Sequence, residues 1–141
     1  MMTGFSHVSI VVPDIEAAAK QLHKKYGFHT GPRTVNAEQG VRLAYIDIGA
    51  AKIELMEPSR PDSPIAKFLE RNPRGGIHHF CLSVDSVDKT AREMNEAGVR
   101  ILGDGKPQHN MAGERIAFIH PGDFLGALVE IEEHGSAHQK S

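Results

Sequence analysis

Two histidines and two glutamates carry the chemistry this sequence offers. His7 opens "HVSIVV" and His79 opens "HFCLSV"; Glu54 sits within "KIELME" and Glu130 within "LVEIEE". Taken singly, none of the four says much. A glutamate alternating with aliphatics usually faces solvent from a half-buried strand, and a strand histidine is usually a hydrogen-bonded structural residue. Taken together, two imidazoles and two carboxylates offer mixed nitrogen and oxygen donors to a hard or borderline divalent cation. Four protein ligands on a metal of higher coordination number leave positions open for substrate oxygens. A closed zinc tetrahedron would instead indicate a structural site. The single cysteine, Cys81, forms no thiolate group with these donors, so a soft metal is not indicated.

An internal repeat ties the four positions together. An offset of 72 residues lays "HVSIVVPDIEAAAKQL" over "HFCLSVDSVDKTAREM", with His7 on His79, Val12 on Val84, Ile15 on Val87 and Ala19 on Ala91. The His-to-Glu separation is 47 residues in the first copy and 51 in the second. Side chains alternate across a strand. His7, Ser9 and Val11 therefore share one face, and His79, Cys81 and Ser83 share the equivalent one. The bulkier faces, Val8, Ile10 and Val12 and then His78, Phe80 and Leu82, suit packing under a helix. The adjacent pair His78–His79 is resolved the same way: His79 is the repeat partner of His7, and His78 is a structural histidine.

The elements that must position these residues recur in order. "FSHVSIVV" reads as a strand ended by Pro13. Asp14 caps a helix whose Ile15, Ala18, Ala19, Leu22 and Tyr26 share a face, and Gly27 stops it. "FHTGPRTVN", "GVRLAYIDIG" and "AKIELMEP" are three further strands. "SPIAKFLERN" is a short connector helix with Ser63 at its N-cap and Pro64 in its first turn. Then "IHHFCLSV" is a strand, "DSVDKTAREMNEAG" a helix capped by Asp85 or Ser86, and "VRILGD", "ERIAFIHP" and "GALVEIEE" three strands. The expectation is a single α+β domain over residues 1–141. Two tandem βαβββ modules, at about 5–57 and about 76–133, form one curved mixed sheet around a metal-binding cleft. A connector helix spans about 63–72, and a polar tail covers 134–141.

Composition bounds the partners. The formal net charge is −2 and the charged fraction 24%, with no basic run, so nucleic acid has no electrostatic footprint here. No apolar segment is long enough to span a bilayer, and "MMTGFSHVSIVVPD" reads as a first strand and not a signal peptide. One cysteine permits no intramolecular disulfide. A soluble, cytoplasmic protein is expected. Lys67, Arg71, Arg74 and Arg115 are the cations available to an anionic ligand. His109, His134 and His138 lie in polar segments, His120 ends a strand, and Cys81 reads as a small filler rather than a nucleophile.

Paired modules with end-strand donors of this kind resemble the vicinal oxygen chelate superfamily, and in more detail its methylmalonyl-CoA epimerase family. The resemblance is carried by "HVSIVVPDIEAA", "EQGVRLAYIDIGAAKIELMEP", "DSPIAKFLERNPRGGIHHFCLSVD", "GVRIL" and "RIAFIHPGDFLGALVEIE", most of residues 5–133. The block from the connector helix to the His pair is its most specific part. The resemblance implies a homodimeric isomerase acting on a small-molecule acyl-CoA. It also implies a divalent metal (cobalt foremost, with Mn, Ni, Zn or Mg as alternatives) on His7, Glu54, His79 and Glu130, and a base role for Glu130. Some relatives carry a second glutamate where this chain has Leu43, so the second acid or base is unassigned, with Glu38 and Asp47 the nearest carboxylates. "MAG" (Met111 to Gly113) and "HPG" also depart from the family pattern. A glyoxalase I acting on a glutathione hemithioacetal, and a metal-free ligand-sequestering protein of the same fold, are the alternatives.

Overall fold

The computed structural model describes residues 2–110 and 112–133. Met111 of "MAG" and the expected tail 134–141, with His134 and His138, lie outside them. The described chain is mixed α+β. The first half runs β1 (Met2–Val11), α1 (Ile15–Tyr26), β2 (Thr34–Asn36), β3 (Val41–Asp47), β4 (Lys52–Pro58) and α2 (Ala66–Arg71). The second half runs β5 (Gly76–Val84), α3 (Val87–Glu96), β6 (Gln108–His109), β7 (Arg115–Ile119), a single 3₁₀ turn at Pro121–Asp123, and β8 (Val129–Glu133). The chain forms two compact units. One is His7–His78; the other holds the described residues from His79 onward together with those before His7.

The repeat is visible in each unit as the same pairing scheme. In the first, the hydrogen-bonded order is β2-β3-β4-β1, with β1 parallel to β4 and the other pairs antiparallel. In the second it is β5-β8-β7-β6, with β5 parallel to β8 and the other pairs antiparallel. A parallel pair needs a crossover, and each unit supplies one through its helix and intervening strands. Asp14 accepts hydrogen bonds from the amides of Glu16 and Ala17 to start α1, and Gly27 ends it in the left-handed region at φ 75°. Ser86 starts α3 by accepting from the Lys89 amide.

The helix-facing side of each sheet forms the core. Ile15, Ala18 and Leu22 of α1 pack with Ile10, Val12, Ala44, Ile46, Ile53 and Leu55. Val87 and Met94 of α3 pack with Phe80, Leu82, Ala117, Ile119, Val129 and Ile131. Each fully buried Val, Leu or Ile among them contributes roughly 1.5–3 kcal/mol by leaving water. The expected bulky strand faces are thus the helix-covered ones. On the other face of the first sheet, α2 lays Phe68 and Leu69 over a cluster of Val11, Val41, Met56 and Ile65.

Several expected elements differ. "VRILGD" is not a strand: Ile101 makes one isolated bridge to Ile119, and the paired segment is Gln108–His109. Gly103 and Gly105 both take positive φ and turn the chain away from the ladder. "FHTGPRTVN" is not one strand: it contributes Thr34–Asn36 and one isolated bridge from Thr30 to Ile46, and between them Pro32 has no amide to donate. Ser63 does not cap α2; the helix begins after Ile65, without a side-chain cap, and Ser63 Oγ is buried without a hydrogen-bond partner. Tyr26 does not share the buried face of α1: it is 65% exposed and leans on Phe28.

Gly75 joins α2 to β5 where backbones meet. Its φ is +92°, and a Cβ there would lie 2.4 Å from the Val11 carbonyl oxygen. Gly49 has a similar φ of +96° with nothing within 4 Å. In urea unfolding, Gly49→Ala should cost about 1 kcal/mol for backbone strain alone. Gly75→Ala should cost at least roughly 2 kcal/mol more, because strain and clash add.

Candidate metal centre

The strand faces opposite the helices are buried yet polar. His7 is 3% exposed, Glu54 7%, His79 7% and Glu130 6%. These positions are fixed by register. Parallel pairing sets Ser9 beside Glu54 and Cys81 beside Glu130. Antiparallel pairing sets Tyr45 on the other flank of Glu54 and Phe118 on the other flank of Glu130. Each carboxylate therefore stands on a central strand between two neighbours, pointing away from the helix.

Within the first unit, His7 Nε2 lies 3.7 Å from Glu54 Oε1. Ser9 Oγ donates to Glu54 Oε1 at 2.5 Å, and the Tyr45 hydroxyl donates to Glu54 Oε2 at 3.0 Å. The Tyr45 ring meets His7 edge-on at 6.0 Å. Within the second unit, His79 Nε2 lies 3.3 Å from Glu130 Oε1, and the Phe118 ring meets His79 edge-on at 5.5 Å. The sequence-derived partners are therefore brought together as two matching His–Glu pairs, one per unit.

Both pairs fit a divalent cation. First-row metal bonds to nitrogen and oxygen are about 2.1 Å, which sets adjacent ligand atoms about 3 Å apart. A small side-chain adjustment brings 3.3 or 3.7 Å to that spacing. Burying a carboxylate is costly unless opposite charge compensates it, and a cation bound by such a pair would supply that charge.

The second unit carries one more buried carboxylate, which the sequence reading missed. Glu132 is 4% exposed and pairs in register with Ser83, two residues along the same face as Glu130. Donor atoms of Cys81, Glu130 and Glu132 lie within 4.8 Å of one another. Its counterpart in the first unit is Met56, which belongs to the apolar cluster under α2. The strand alternation of "VEIEE" was the available signal. Ser9 and Tyr45 were also missed as carboxylate partners, although Ser9 is the repeat counterpart of Cys81.

The remaining candidates divide clearly. His78 has its ring 5.4 Å from that of Phe68 of α2, edge-on. His120 Nδ1 accepts from the Gly122 amide and caps the 3₁₀ turn. His109 is exposed on β6. Arg115 is held by Asp88 at 2.5 Å, whereas Lys67, Arg71 and Arg74 are exposed. Leu43 packs into the apolar cluster under α2, Glu38 is exposed, and Asp47 is exposed and accepts from the Gly49 amide. A surface groove of about 470 Å³, lined in part by Glu16, His23, His29 and Arg33, contains none of the four proposed ligands.

A family model described as glyoxalase/bleomycin resistance protein/dioxygenase superfamily matches residues 6–118. The chain belongs to that superfamily. Within it, the chain is 43% identical over 133 residues to an ethylmalonyl-CoA/methylmalonyl-CoA epimerase of Cereibacter sphaeroides, covering 94% of this chain and 99% of the relative. The crystal structure of methylmalonyl-CoA epimerase from Mycobacterium tuberculosis superposes with a TM-score of 0.86 at 33% identity, covering 99% of this chain and 93% of that one. A methylmalonyl-CoA epimerase in complex with methylmalonyl-CoA and NH4+ superposes with a TM-score of 0.85 at 35% identity, covering 96% and 97%. The mixed α+β fold is that of these glyoxalase-superfamily structures, and no helix among the described residues is long and apolar enough to cross a membrane.

Cys81 shares the face of the second pair but is no nucleophile. Burial, followed by the nearby Glu130 and Glu132 charges, pushes its thiol far up. Native protein at mildly alkaline pH should resist a thiol-specific chromogenic reagent, while denatured protein should react with one equivalent. Rapid labelling of the native protein would contradict this environment.

Proposed function

We propose that the protein interconverts the (2R) and (2S) forms of methylmalonyl-CoA, using a divalent cation held by His7, Glu54, His79 and Glu130. The observation that carries this reading is the duplicated His–Glu pair, at 3.7 Å in one unit and 3.3 Å in the other. The relatives named above support the substrate, and an isomerase acting on an acyl-CoA follows from them. By the same resemblance the enzyme is a cytoplasmic homodimer, with cobalt the foremost metal.

The reaction removes and returns the proton between a thioester and a carboxylate. When bound, a divalent cation supplies Lewis-acid compensation for the enolate charge that develops. The protein's own groups do the rest. Glu130 stands on β8 with its carboxylate turned away from the core and beside His79, the arrangement required of a base that must reach substrate. Its strand position fixes the direction of approach. Inversion then needs a proton donor on the opposite side of the substrate carbon. Leu43 cannot supply it, having no ionisable group. The buried His and Glu side chains limit water around the enolate, which strengthens charge compensation.

The decisive test is incubation of the metal-loaded protein with methylmalonyl-CoA in D₂O. Deuterium should enter at the α-carbon during epimerisation, as read by mass spectrometry; metal-loaded protein that incorporates none would overturn the reading. A parallel incubation with a glutathione hemithioacetal should give no product.

The two adjacent histidines should separate cleanly. His79→Ala should lose stoichiometric metal and activity together. His78→Ala should retain both, and lower stability by about 1 kcal/mol through the lost ring contact with Phe68. Metal analysis and thermal unfolding of the two variants check this, and the opposite pattern would reverse the assignment of the strand face.

A further inference from the structure

The two copies of the repeat hold their carboxylates differently. We propose that Ser9 and Tyr45 are positioning residues that fix Glu54 as a metal ligand, through hydroxyls that the second copy replaces with Cys81 and Phe118. The inference rests on the reading of His7 and Glu54 as ligands given above.

The register makes the comparison direct. Ser9 and Tyr45 flank Glu54 as Cys81 and Phe118 flank Glu130. In the first copy both flanking side chains carry hydroxyls, one on each carboxylate oxygen, at 2.5 and 3.0 Å. Rotating Glu54 out of place breaks both bonds at once. A carboxylate has about four lone-pair sites, so two accepted hydrogen bonds leave others for a metal. Ser9 is fully buried, so no water competes for its bond. Tyr45 also packs edge-on against His7, so one side chain sets both members of the pair.

In the second copy the donors are weaker. A thiol is a poor hydrogen-bond donor and a phenyl ring is none. Cys81 does bond Glu130, and Ser6 bonds Cys81, but nothing on β7 offers a hydroxyl to Glu130 in the place Tyr45 holds beside Glu54. The same duplicated carboxylate is thereby flanked by two hydroxyls in one copy and by a thiol and a phenyl ring in the other.

The test is cobalt affinity of metal-free protein, measured by competition with a chromophoric chelator, with the visible cobalt absorption as a second readout. Wild type should bind tightly and His7→Ala should not. Ser9→Ala and Tyr45→Phe should each weaken binding about 10–100-fold and alter the absorption band. Ser9→Cys should fall between Ser9→Ala and wild type, and Cys81→Ala should stay close to wild type. Turnover by Tyr45→Phe should rise with added cobalt as its weakened sites fill, which separates positioning from catalysis. Tyr45→Phe keeps the ring and its packing, so it decides the matter even if Ser9→Ala does not fold. If His7→Ala loses cobalt while Tyr45→Phe holds it as tightly as wild type, this inference falls and the metal reading stands. If wild type and His7→Ala take up cobalt alike, both fall.

Discussion

A carboxylate buried on a central strand is the constraint around which each half of this molecule is arranged. Glu54 and Glu130 are both less than a tenth exposed. Such a group destabilises a fold by several kcal/mol unless partners compensate for its lost hydration. The compensation here is local and comes from neighbouring strands. Parallel pairing delivers a small polar side chain from one flank and antiparallel pairing an aromatic one from the other, while a histidine two residues upstream on β1 or β5 completes the pair. Because side chains alternate on a strand, the same register sends the aliphatic neighbours of each glutamate into the helix-covered core. Core packing and donor placement are two consequences of one pairing scheme.

Duplication lets the two halves diverge while the scheme persists. Where the first copy has Ser9, Tyr45 and Met56, the second has Cys81, Phe118 and Glu132. The first copy ties its glutamate with two hydroxyls and closes the end of the face with apolar residues under α2. The second copy leaves its glutamate beside a thiol and a ring, and extends the polar face with another carboxylate.

Most of the strand and helix order was legible because periodicity and punctuation agree. Asp14, Gly27 and Ser86 bound helices whose apolar positions recur at helical spacing, and Gly and Pro bound the strands. The places where expectation and structure part company are local. Ser63 has the residue type of a helix cap, but the chain from Pro61 to Ile65 turns before the helix starts, so the hydroxyl points into a buried position. Ile101 has the β-branched neighbourhood of a strand, but the glycines that follow it curl the chain after one bridge. Tyr26 falls at the right angle on the helix, but it is the last residue of α1 and stays 65% exposed.

The sequence by itself determined which histidine belongs with which glutamate in each copy, because a duplicated module repeats its His and Glu at matched positions, and strand alternation tells which face each one takes. It also separated His79 from His78 by the same alternation. Only the tertiary structure decided which neighbours each glutamate meets. Ser9, Tyr45 and Glu54 lie 45 and 9 residues apart in the donor-to-acceptor sense, and nothing in local propensity fixes which of their strands pair or in what register. Register is a property of two strands at once, set by the packing of both faces. The hydroxyl clamp on Glu54, and the buried neighbour Glu132 beside Glu130, therefore came into view only when the strands were set side by side.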